Sequence, residues 1–299
     1  MRVAIASGKG GTGKTTLATG LATLLAGRGV AVGLIDADVE EPDCHLFVHP
    51  EIRHREPVTV PVPTVDDAAC DLCGVCADAC AFKAITVVGT TVLVFPELCH
   101  SCGACTLLCP RHAIREEGRQ TGVVERGLAT PGDGRSFELV TGIMNVGEAK
   151  AVPTTRAAVA AFSSDAPGVP APEVVIVDAP PGTSCPVIES VRGADVVVLV
   201  TEPTPFGLHD LKLAVEMVRA LHLPFVVAVN RTGIGDDRVE EYCAREGIEI
   251  VLRIADDRRI AETYARGALP VLTVDGLDGL LADAWERIRT AAHAREVTP

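Results

Sequence analysis

The chain alternates short runs of apolar residues with longer stretches in which apolar residues recur at helical spacing. Each apolar run ends in a polar or glycine-containing segment, which is typical of strands buried within a parallel sheet. Strands are predicted at 2–7 and 30–35 and within 173–183, 194–203 and 224–233, and helices at 15–26, 207–221, 236–247 and 256–267. This alternation predicts an α/β fold with a doubly wound, mostly parallel sheet.

The pattern is less regular elsewhere. The sequence PVTVPVPTV, around Pro57 to Pro63, is rich in proline and valine and is interpreted as a connector. Further elements are a possible pair of strands and a helix (154–162) within 119–172, a loop at 163–173, strands or strand ends at 248–254 and 269–274, and an amphipathic helix at 277–294. The last helix is expected to pack on the sheet through Leu277, Leu280, Leu281, Ala284, Trp285 and Ile288.

Residues 8–15 read GKGGTGKT and fit the pattern G-x-x-x-x-G-K-[ST] between a predicted strand and a predicted helix. That context is typical of a phosphate-binding loop, whose glycines let backbone amides turn toward phosphate oxygens. In such a loop Lys14 reaches the β- and γ-phosphates, and the Thr15 hydroxyl ligates Mg²⁺. The sequence therefore predicts a site for ATP or ADP with Mg²⁺, formed by Gly8, Lys9, Gly10, Gly11, Thr12, Gly13, Lys14, Thr15 and Thr16.

Eight of the 11 cysteines lie in two runs with the spacing C-x2-C-x2-C-x3-C, within a cysteine cassette at about 66–118. This spacing is that of bacterial two-cluster ferredoxins, in which the fourth cysteine of each run ligates the cluster of the other run. Zinc is the alternative, because paired C-x2-C knuckles bind it, but two matched runs of four favour clusters. The predicted ligands of two [4Fe–4S] clusters are Cys70, Cys73, Cys76 and Cys109 for cluster one, and Cys99, Cys102, Cys105 and Cys80 for cluster two.

The segment KGGTGKTT resembles the deviant Walker motif of the MinD/ParA superfamily, which includes nitrogenase iron protein and the Mrp-type cluster carriers. Its mark is the additional lysine, Lys9, which in that superfamily reaches across a dimer to the nucleotide of the partner. The resemblance implies ATP hydrolysis by a nucleotide-sandwich dimer, formed with a second copy or with a related ATPase chain. It also implies that Lys9 and Lys14 are catalytic and that Asp38, in switch I, positions the attacking water beside Mg²⁺.

The same resemblance assigns roles to residues outside the loop. Asp36 would support Asp38 and the Mg²⁺ shell, and Asp178 looks like the Walker B carboxylate that holds Mg²⁺. Gly182 is similar to the switch II glycine whose amide senses the γ-phosphate. Asn230 and Arg231, which follow a predicted strand, resemble residues beside the adenine base.

The composition narrows the classes of partner. There are 27 Lys and Arg against 40 Asp and Glu, and the resulting net charge of −13 disfavours both nucleic acid and anionic membranes. The first eight residues predict a strand and not a targeting segment, so we expect a cytoplasmic protein without disulfides. Cys44 and Cys243 are interpreted as ordinary small apolar residues, and Cys185 as structural.

These patterns predict an ATPase domain (1–60 and 121–299) interrupted by an inserted α+β ferredoxin-like domain (61–120). The leading hypothesis is a dimer in which ATP turnover is coupled to electron transfer through the two clusters, between an unidentified donor and acceptor. An iron–sulfur scaffold or carrier of the Mrp type, serving a cluster-acceptor protein, is the alternative. Four ligands per cluster within one chain favour permanent redox centres, and the acidity disfavours a positioning ATPase that binds DNA or membrane.

Overall fold

A computed structural model describes residues 1–132, 135–162 and 172–293. The strands are β1 (Arg2–Ser7), β2 (Val32–Asp36), β3 (Glu51–Val65), β4 (Ile85–Val88), β5 (Thr91–Val94), β6 (Ile114–Ala129), β7 (Phe137–Met144), β8 (Val174–Pro181), β9 (Val196–Thr201), β10 (Phe225–Thr232) and β11 (Ile250–Ala255). The helices are α1 (Lys14–Gly27), α2 (His45–Val48), α3 (Val75–Ala79), α4 (Ala104–Leu108), α5 (Val152–Ala160), α6 (Cys185–Val191), α7 (Pro205–Ala220), α8 (Arg238–Glu246), α9 (Arg258–Ala265), α10 (Pro270–Thr273) and α11 (Leu277–His293).

Nine strands form one sheet in the order β11-β10-β9-β1-β8-β2-β7-β6-β3. The pairs from β11 to β7 are parallel, and β6 and β3 extend that sheet by antiparallel pairing. The predicted doubly wound, mostly parallel α/β fold is therefore confirmed. The order places β1, β8 and β2 side by side near the centre of the sheet. Because these strands are parallel, the segments that follow them meet at the carboxyl ends of the strands.

Helices cover both faces of the sheet. Successive side chains of a strand point to opposite faces, and in β1 the side chains of Val3 and Ile5 join one buried cluster while those of Ala4 and Ala6 join the other. The first cluster includes residues of α1 and α11, and the second includes residues of α5, α7 and α8. The terminal helix packs as predicted, except that Leu280, at the margin of its apolar face, is 47% exposed.

The interpretation of Pro57 to Pro63 as a connector is wrong, because this segment lies in the middle of β3. The strand is at the edge of the sheet, where N–H groups on the outer side have no partner strand, and such an edge tolerates proline. Its pairing with β6 runs from Glu51 opposite Leu128 to Val65 opposite Ile114. The two strands thus form a long ribbon that carries the cysteine cassette at its far end.

The strands on both sides of the cassette belong to the sheet and lead into the cassette without a break. It holds α3, α4 and the separate hairpin β4–β5, around a small core in which Cys76, Ile85 and Ile114 are buried. The boundaries proposed at 60/61 and 120/121 fall inside β3 and β6. The division into domains remains a prediction.

Two other predictions have different outcomes. The segment 269–274 is not a strand, because Pro270 begins the short helix α10, and proline's fixed φ suits a first helical turn. The loop predicted at 163–173 lies mostly outside the described residues. Among the helices of the described ranges, none combines the length and apolar character that crossing a bilayer requires.

Candidate functional site

The phosphate-binding loop connects β1 to α1 and follows the pattern that its glycines require. Gly11 and Gly13 adopt positive φ angles of 75° and 95°. A side chain at Gly13 would also come within 2.5 Å of Asn230 Nδ2, and this amide donates to the carbonyl of Thr12 at 2.9 Å. The close approach ties the end of β10 to the loop, so glycine at this position is required both by its backbone angle and by its neighbour.

A cavity of about 520 Å³ opens beside the loop. Its lining combines part of the predicted set with a loop and helix from the C-terminal third of the chain: Gly10, Gly11, Gly13, Lys14, Thr15, Thr16, Asp38, Glu41, Asp43, Pro181, Asn230, Arg231, Ala255, Asp256, Asp257, Ile260, Ala261 and Tyr264. The cavity has the position and volume that a nucleotide on a phosphate-binding loop requires. Other residues of the predicted set do not line it: Gly8, Lys9, Thr12, Asp36, Asp178 and Gly182.

Asp178 ends the apolar part of β8 and is fully buried next to the loop. Its Oδ2 accepts a hydrogen bond of 2.6 Å from the Thr15 hydroxyl, and its Oδ1 has no hydrogen-bond partner among the described residues. Burial raises the pKa of Asp178 to about 7, although the charge of Lys14 acts in the opposite direction. A buried carboxylate with one unused oxygen beside a threonine hydroxyl fits the oxygen ligands that Mg²⁺ prefers.

Asp36 and Asp38 lie in different surroundings although they are only two residues apart. Asp36 is fully buried, and its Oδ2 accepts the backbone N–H groups of Asp43 and Cys44, both at 2.9 Å. Asp38 lies at the wall of the nucleotide cavity, and burial raises its pKa to about 6. Asp38 is therefore available to a water molecule or cation, whereas Asp36 holds the chain segment that follows.

The segment after Asp36 places the side chains of Asp43, Cys44 and Phe47 at the site, and none of the three was predicted there. The Sγ of Cys44 lies 3.5 Å from Oδ2 of Asp178, so this buried thiol contacts a predicted Mg²⁺ ligand instead of packing only among apolar groups. The Tyr264 hydroxyl donates to Asp43 Oδ2 at 3.2 Å, and its ring lies 4.4 Å from that of Phe47. These contacts depend on the tertiary fold, and no local sequence motif marks them.

Lys9 is held by its own chain in this structure. Its Nζ lies 3.0 Å from Oε2 of Glu202, a carboxylate just after β9 whose side chain is only 8% exposed. Arg231 contacts the other oxygen of Glu202 at 3.3 Å. Glu202 was not among the predicted residues, although an acid at the end of a buried parallel strand is a signal that could have found it.

The switch II and base-side residues are also engaged with backbone groups. The Gly182 amide donates to the Ser7 carbonyl at 2.9 Å, with φ at 95°. Asn230 uses its amide on Thr12 and accepts from the Arg231 N–H through its side-chain oxygen. The roles proposed for Gly182, Asn230 and Arg231 toward a nucleotide remain predictions.

The eight thiols of the cassette surround two separate small cavities in crossed sets. One cavity is lined by Cys70, Cys73 and Cys76 of the first run together with Cys109 of the second. The other is lined by Cys99, Cys102 and Cys105 together with Cys80 of the first run. The two sets are those predicted from the ferredoxin spacing.

The two cysteine runs repeat each other in backbone conformation as well as in sequence. Leu72 and Ser101, two residues after the first cysteine of each run, both have positive φ. The same holds for Gly74 and Gly103, and for Lys83 and His112, three residues after the fourth cysteine of each run. A non-glycine residue in the left-handed region is uncommon, and matched pairs of them point to loops shaped for a purpose.

Backbone amides also point at the sulfurs. The N–H of Ala84 donates to Cys80 Sγ and that of Ala113 to Cys109 Sγ, both at 3.3 Å. Burial acts to raise the pKa of the Cys80 thiol, but the amides of the loop after it outweigh burial, and the pKa is lowered. This favours the thiolate, which is the form that ligates iron.

The spacing of the thiols bears on the choice of metal. Within the described residues, no three of these eight sulfurs lie within 4.8 Å of one another. A single tetrahedral zinc with Zn–S bonds of about 2.3 Å would draw its sulfurs to separations of roughly 3.8 Å. The choice of iron–sulfur clusters over zinc for these thiols remains a prediction from the spacing of the two runs.

Comparisons with known proteins agree with this geometry. Residues 3–271 match the family model described as CobQ/CobB/MinD/ParA nucleotide binding domain. The uncharacterized protein MJ0579 of Methanocaldococcus jannaschii is 30% identical over 270 residues, which are 89% of this chain and 90% of that protein. An iron-sulfur cluster carrier protein of Pyrococcus abyssi is 25% identical over 291 residues, 92% of this chain and 80% of the carrier. The structure of the cell division protein MinD from Aquifex aeolicus has a TM-score of 0.59 at 18% identity, covering 97% of both chains, and shares the fold.

Proposed function

Because the chain belongs to the CobQ/CobB/MinD/ParA family of nucleotide-binding domains, we propose that it is a dimeric ATPase that couples ATP turnover to electron transfer through two [4Fe–4S] clusters. The observation that carries the redox part is the pair of cavities, each lined by four thiols of the same chain in crossed sets. When bound, such clusters supply one-electron chemistry at low potential. The donor and the acceptor are one-electron redox proteins that are not yet identified.

The nucleotide half of the proposal rests on the loop and the carboxylates around the 520 Å³ cavity. Backbone amides of residues 10–16 hold the phosphates, and Lys14 neutralises charge on the β- and γ-phosphates. Thr15 and Asp178, in contact at 2.6 Å, would hold Mg²⁺, which would neutralise phosphate charge when bound. Asp38, at the wall of the same cavity, would orient the attacking water. Lys9 leaves Glu202 when a partner subunit presents its nucleotide.

The cysteine half of the proposal rests on ligands that a single chain supplies completely. Four thiols line each cavity, so neither centre requires a second chain. The amides directed at Cys80 and Cys109, the fourth cysteine of each run, hold the loops in place, and at Cys80 they favour the thiolate. Such a complete set suits a centre that stays bound through many turnovers.

A cluster carrier is the second candidate, and the relatives favour it. The Pyrococcus abyssi carrier aligns with 92% of this chain, and a similar carrier of Pyrococcus horikoshii covers the same share. A carrier releases its cluster to an acceptor, whereas an electron-transfer protein keeps it. The two functions therefore differ in a quantity that can be measured, the iron that remains on the chain after turnover.

The test is an anaerobic transfer experiment on the full chain reconstituted with iron and sulfide. Iron and sulfide are quantified before and after ATP turnover with an apo-ferredoxin as the acceptor, followed by desalting, and the reduced-state EPR spectrum is recorded with ATP and with ADP. Electron transfer predicts that about eight iron atoms per chain are retained and that the spectrum changes with nucleotide. Iron that leaves with the acceptor in the wild type, but not in the turnover-deficient control Lys14→Met, would establish the carrier instead.

A further inference from the structure

Lys150 connects the main sheet to the cassette at one of the predicted cluster ligands. It lies in the loop 145–151 between β7 and α5, yet its ammonium group donates to two carbonyls of the cassette, those of Glu97 at 2.8 Å and Cys99 at 2.5 Å. Cys99 is the first thiol of the set around cluster two. The contact spans 51 residues of sequence and is separate from the β3–β6 ribbon that carries the cassette.

Lys150 is held in place on its own side of this contact. Its backbone N–H donates to Oε1 of Glu148 at 3.2 Å, and Oε2 of Glu148 accepts from Arg119 of β6 at 2.6 Å. The Glu148 side chain is only 3% exposed, so this ion pair is shielded from solvent and fixes the loop to the strand that leads out of the cassette. The backbone from which the Lys150 side chain extends is therefore fixed by the loop.

Both ends of the same loop adjoin the switch segments. The N–H of Met144 donates to the carbonyl of Val39, the residue after Asp38, at 2.9 Å. Ala151 lines a second cavity, of about 300 Å³, together with switch I residues (Asp38, Glu40 and Glu41) and switch II residues (Pro181 and Ser184). Lys150, which contacts the backbone beside Cys99, is thus six positions from Met144 and one from Ala151, the two residues that adjoin the segments expected to respond to the γ-phosphate.

We propose that Lys150 is a positioning residue that transmits the nucleotide state of the switch segments to cluster two and not to cluster one. This inference rests on the proposed function. The loop 145–151 moves with switch I and II, and Lys150 changes its distance from the carbonyls of Glu97 and Cys99. A positive charge this near also favours the reduced, more negative form of the neighbouring cluster, so its position alters the potential at which that cluster accepts an electron.

The experiment compares Lys150→Met, Lys150→Arg and Lys212→Met with the wild type, all as full chains reconstituted with iron and sulfide. Lys212 lies on α7 over the ring of Tyr242, so its replacement removes the same charge far from the cassette. Redox titrations followed by EPR are run with ATP, with ADP and without nucleotide. In the wild type and in Lys212→Met we expect one of the two reduced signals to shift with nucleotide.

In Lys150→Met we expect unchanged iron content and ATP affinity, a lower midpoint potential for one signal, and loss of its nucleotide-dependent shift. Lys150→Arg, which keeps the charge, should retain most of that shift. Equal responses of Lys150→Met and wild type to nucleotide would overturn the proposal, as would a shift of both signals or an equal loss in Lys212→Met.

Hydrogen exchange on the cluster-loaded chain separates this inference from the proposed function, because it follows the Lys150 contact and not electron transfer. Nucleotide should alter the exchange of amides 97–101 in the wild type, and Lys150→Met should abolish the effect. If iron leaves with the apo-ferredoxin during turnover but exchange still responds through Lys150, the electron-transfer proposal fails and the mechanical link stands. If exchange at 97–101 is the same with and without nucleotide in the wild type, the link fails whatever the outcome of the transfer experiment.

Discussion

The nucleotide site is lined by residues at the ends of, or after, five strands (β1, β2, β8, β10 and β11), from Gly10 to Tyr264, whereas the cassette takes all eight thiols from the span between Cys70 and Cys109. The first is built on a sheet with a large core on each face, and the second surrounds a core of only three buried residues. A site assembled by the fold can fail when one distant partner is lost, while a site assembled by local spacing depends on its metal for rigidity.

The largest effect is expected at the loop. Lys14→Met should lower ATP turnover by about 10²–10³-fold, since a fixed cation near the transferred phosphoryl group is lost. The cassette should keep its iron, because none of its ligands comes from the nucleotide site. Phosphate release and iron content measured on one preparation test both parts, with Lys212→Met as the charge-matched control. Loss of iron in Lys14→Met would show that the two regions do not assemble independently.

A second large effect tests the crossed ligand sets. Cys109→Ala and its counterpart Cys80→Ala should each lose about four of about eight iron atoms. In Cys109→Ala the exposed thiols should be those of Cys70, Cys73 and Cys76, because these line the same cavity as Cys109. Alkylation followed by peptide mass spectrometry identifies them. Labelling of the second run in Cys109→Ala would mean that each cluster uses the four cysteines of its own run.

These two regions also differ in how much of them the sequence predicts. The crossed cysteines and the loop could be found from spacing alone, because local geometry fixes both. The pairing of Lys9 with Glu202 and the contact of Cys44 with Asp178 could not, since each joins residues more than 130 positions apart. The prolines of β3 were misinterpreted because only the strand order reveals that this segment is at the edge of the sheet.

Removal of iron should affect the two regions unequally. Without metal, the three-residue core of the cassette is too small to hold α3, α4 and the β4–β5 hairpin, so amides of 66–113 should lose most of their protection from hydrogen exchange. The sheet should keep its protection and its midpoint of thermal unfolding. Chelation under reducing conditions, followed by hydrogen exchange and thermal scans, tests this. A cassette that remains protected would be stabilised by its own packing.

A smaller effect concerns the pH dependence of the nucleotide site. Burial raises the pKa of Asp178 to about 7, so between about pH 4 and 7 the folded state holds a proton that the unfolded state releases. Stability from this group is thus present at low pH and lost as pH rises through 7. The midpoint of thermal unfolding of Asp178→Asn should therefore rise relative to that of the wild type as pH increases, by roughly 8 °C at pH 8, because a pKa difference of about three units corresponds to about 4 kcal/mol. Thermal scans in EDTA without nucleotide test this. The control is Asp278→Asn, which replaces an exposed acid of α11. A difference in midpoint between Asp178→Asn and wild type that stays constant from pH 4.5 to 8 would contradict the prediction.

The smallest effect is expected where Lys9 is held by Glu202. The ion pair of 3.0 Å keeps Lys9 within its own chain, and it must break before Lys9 can reach a partner subunit. Glu202→Gln removes the charge but keeps a hydrogen-bond acceptor, so ATP-dependent dimerisation should tighten by roughly fivefold, which corresponds to about 1 kcal/mol. Sedimentation of the wild type and Glu202→Gln with a non-hydrolysable ATP analogue measures this, and Glu240→Gln, which pairs with Arg253 of the same sheet, serves as the control. Unchanged or weaker dimerisation would mean that the pair with Glu202 orders the loop for nucleotide and does not hold Lys9 back.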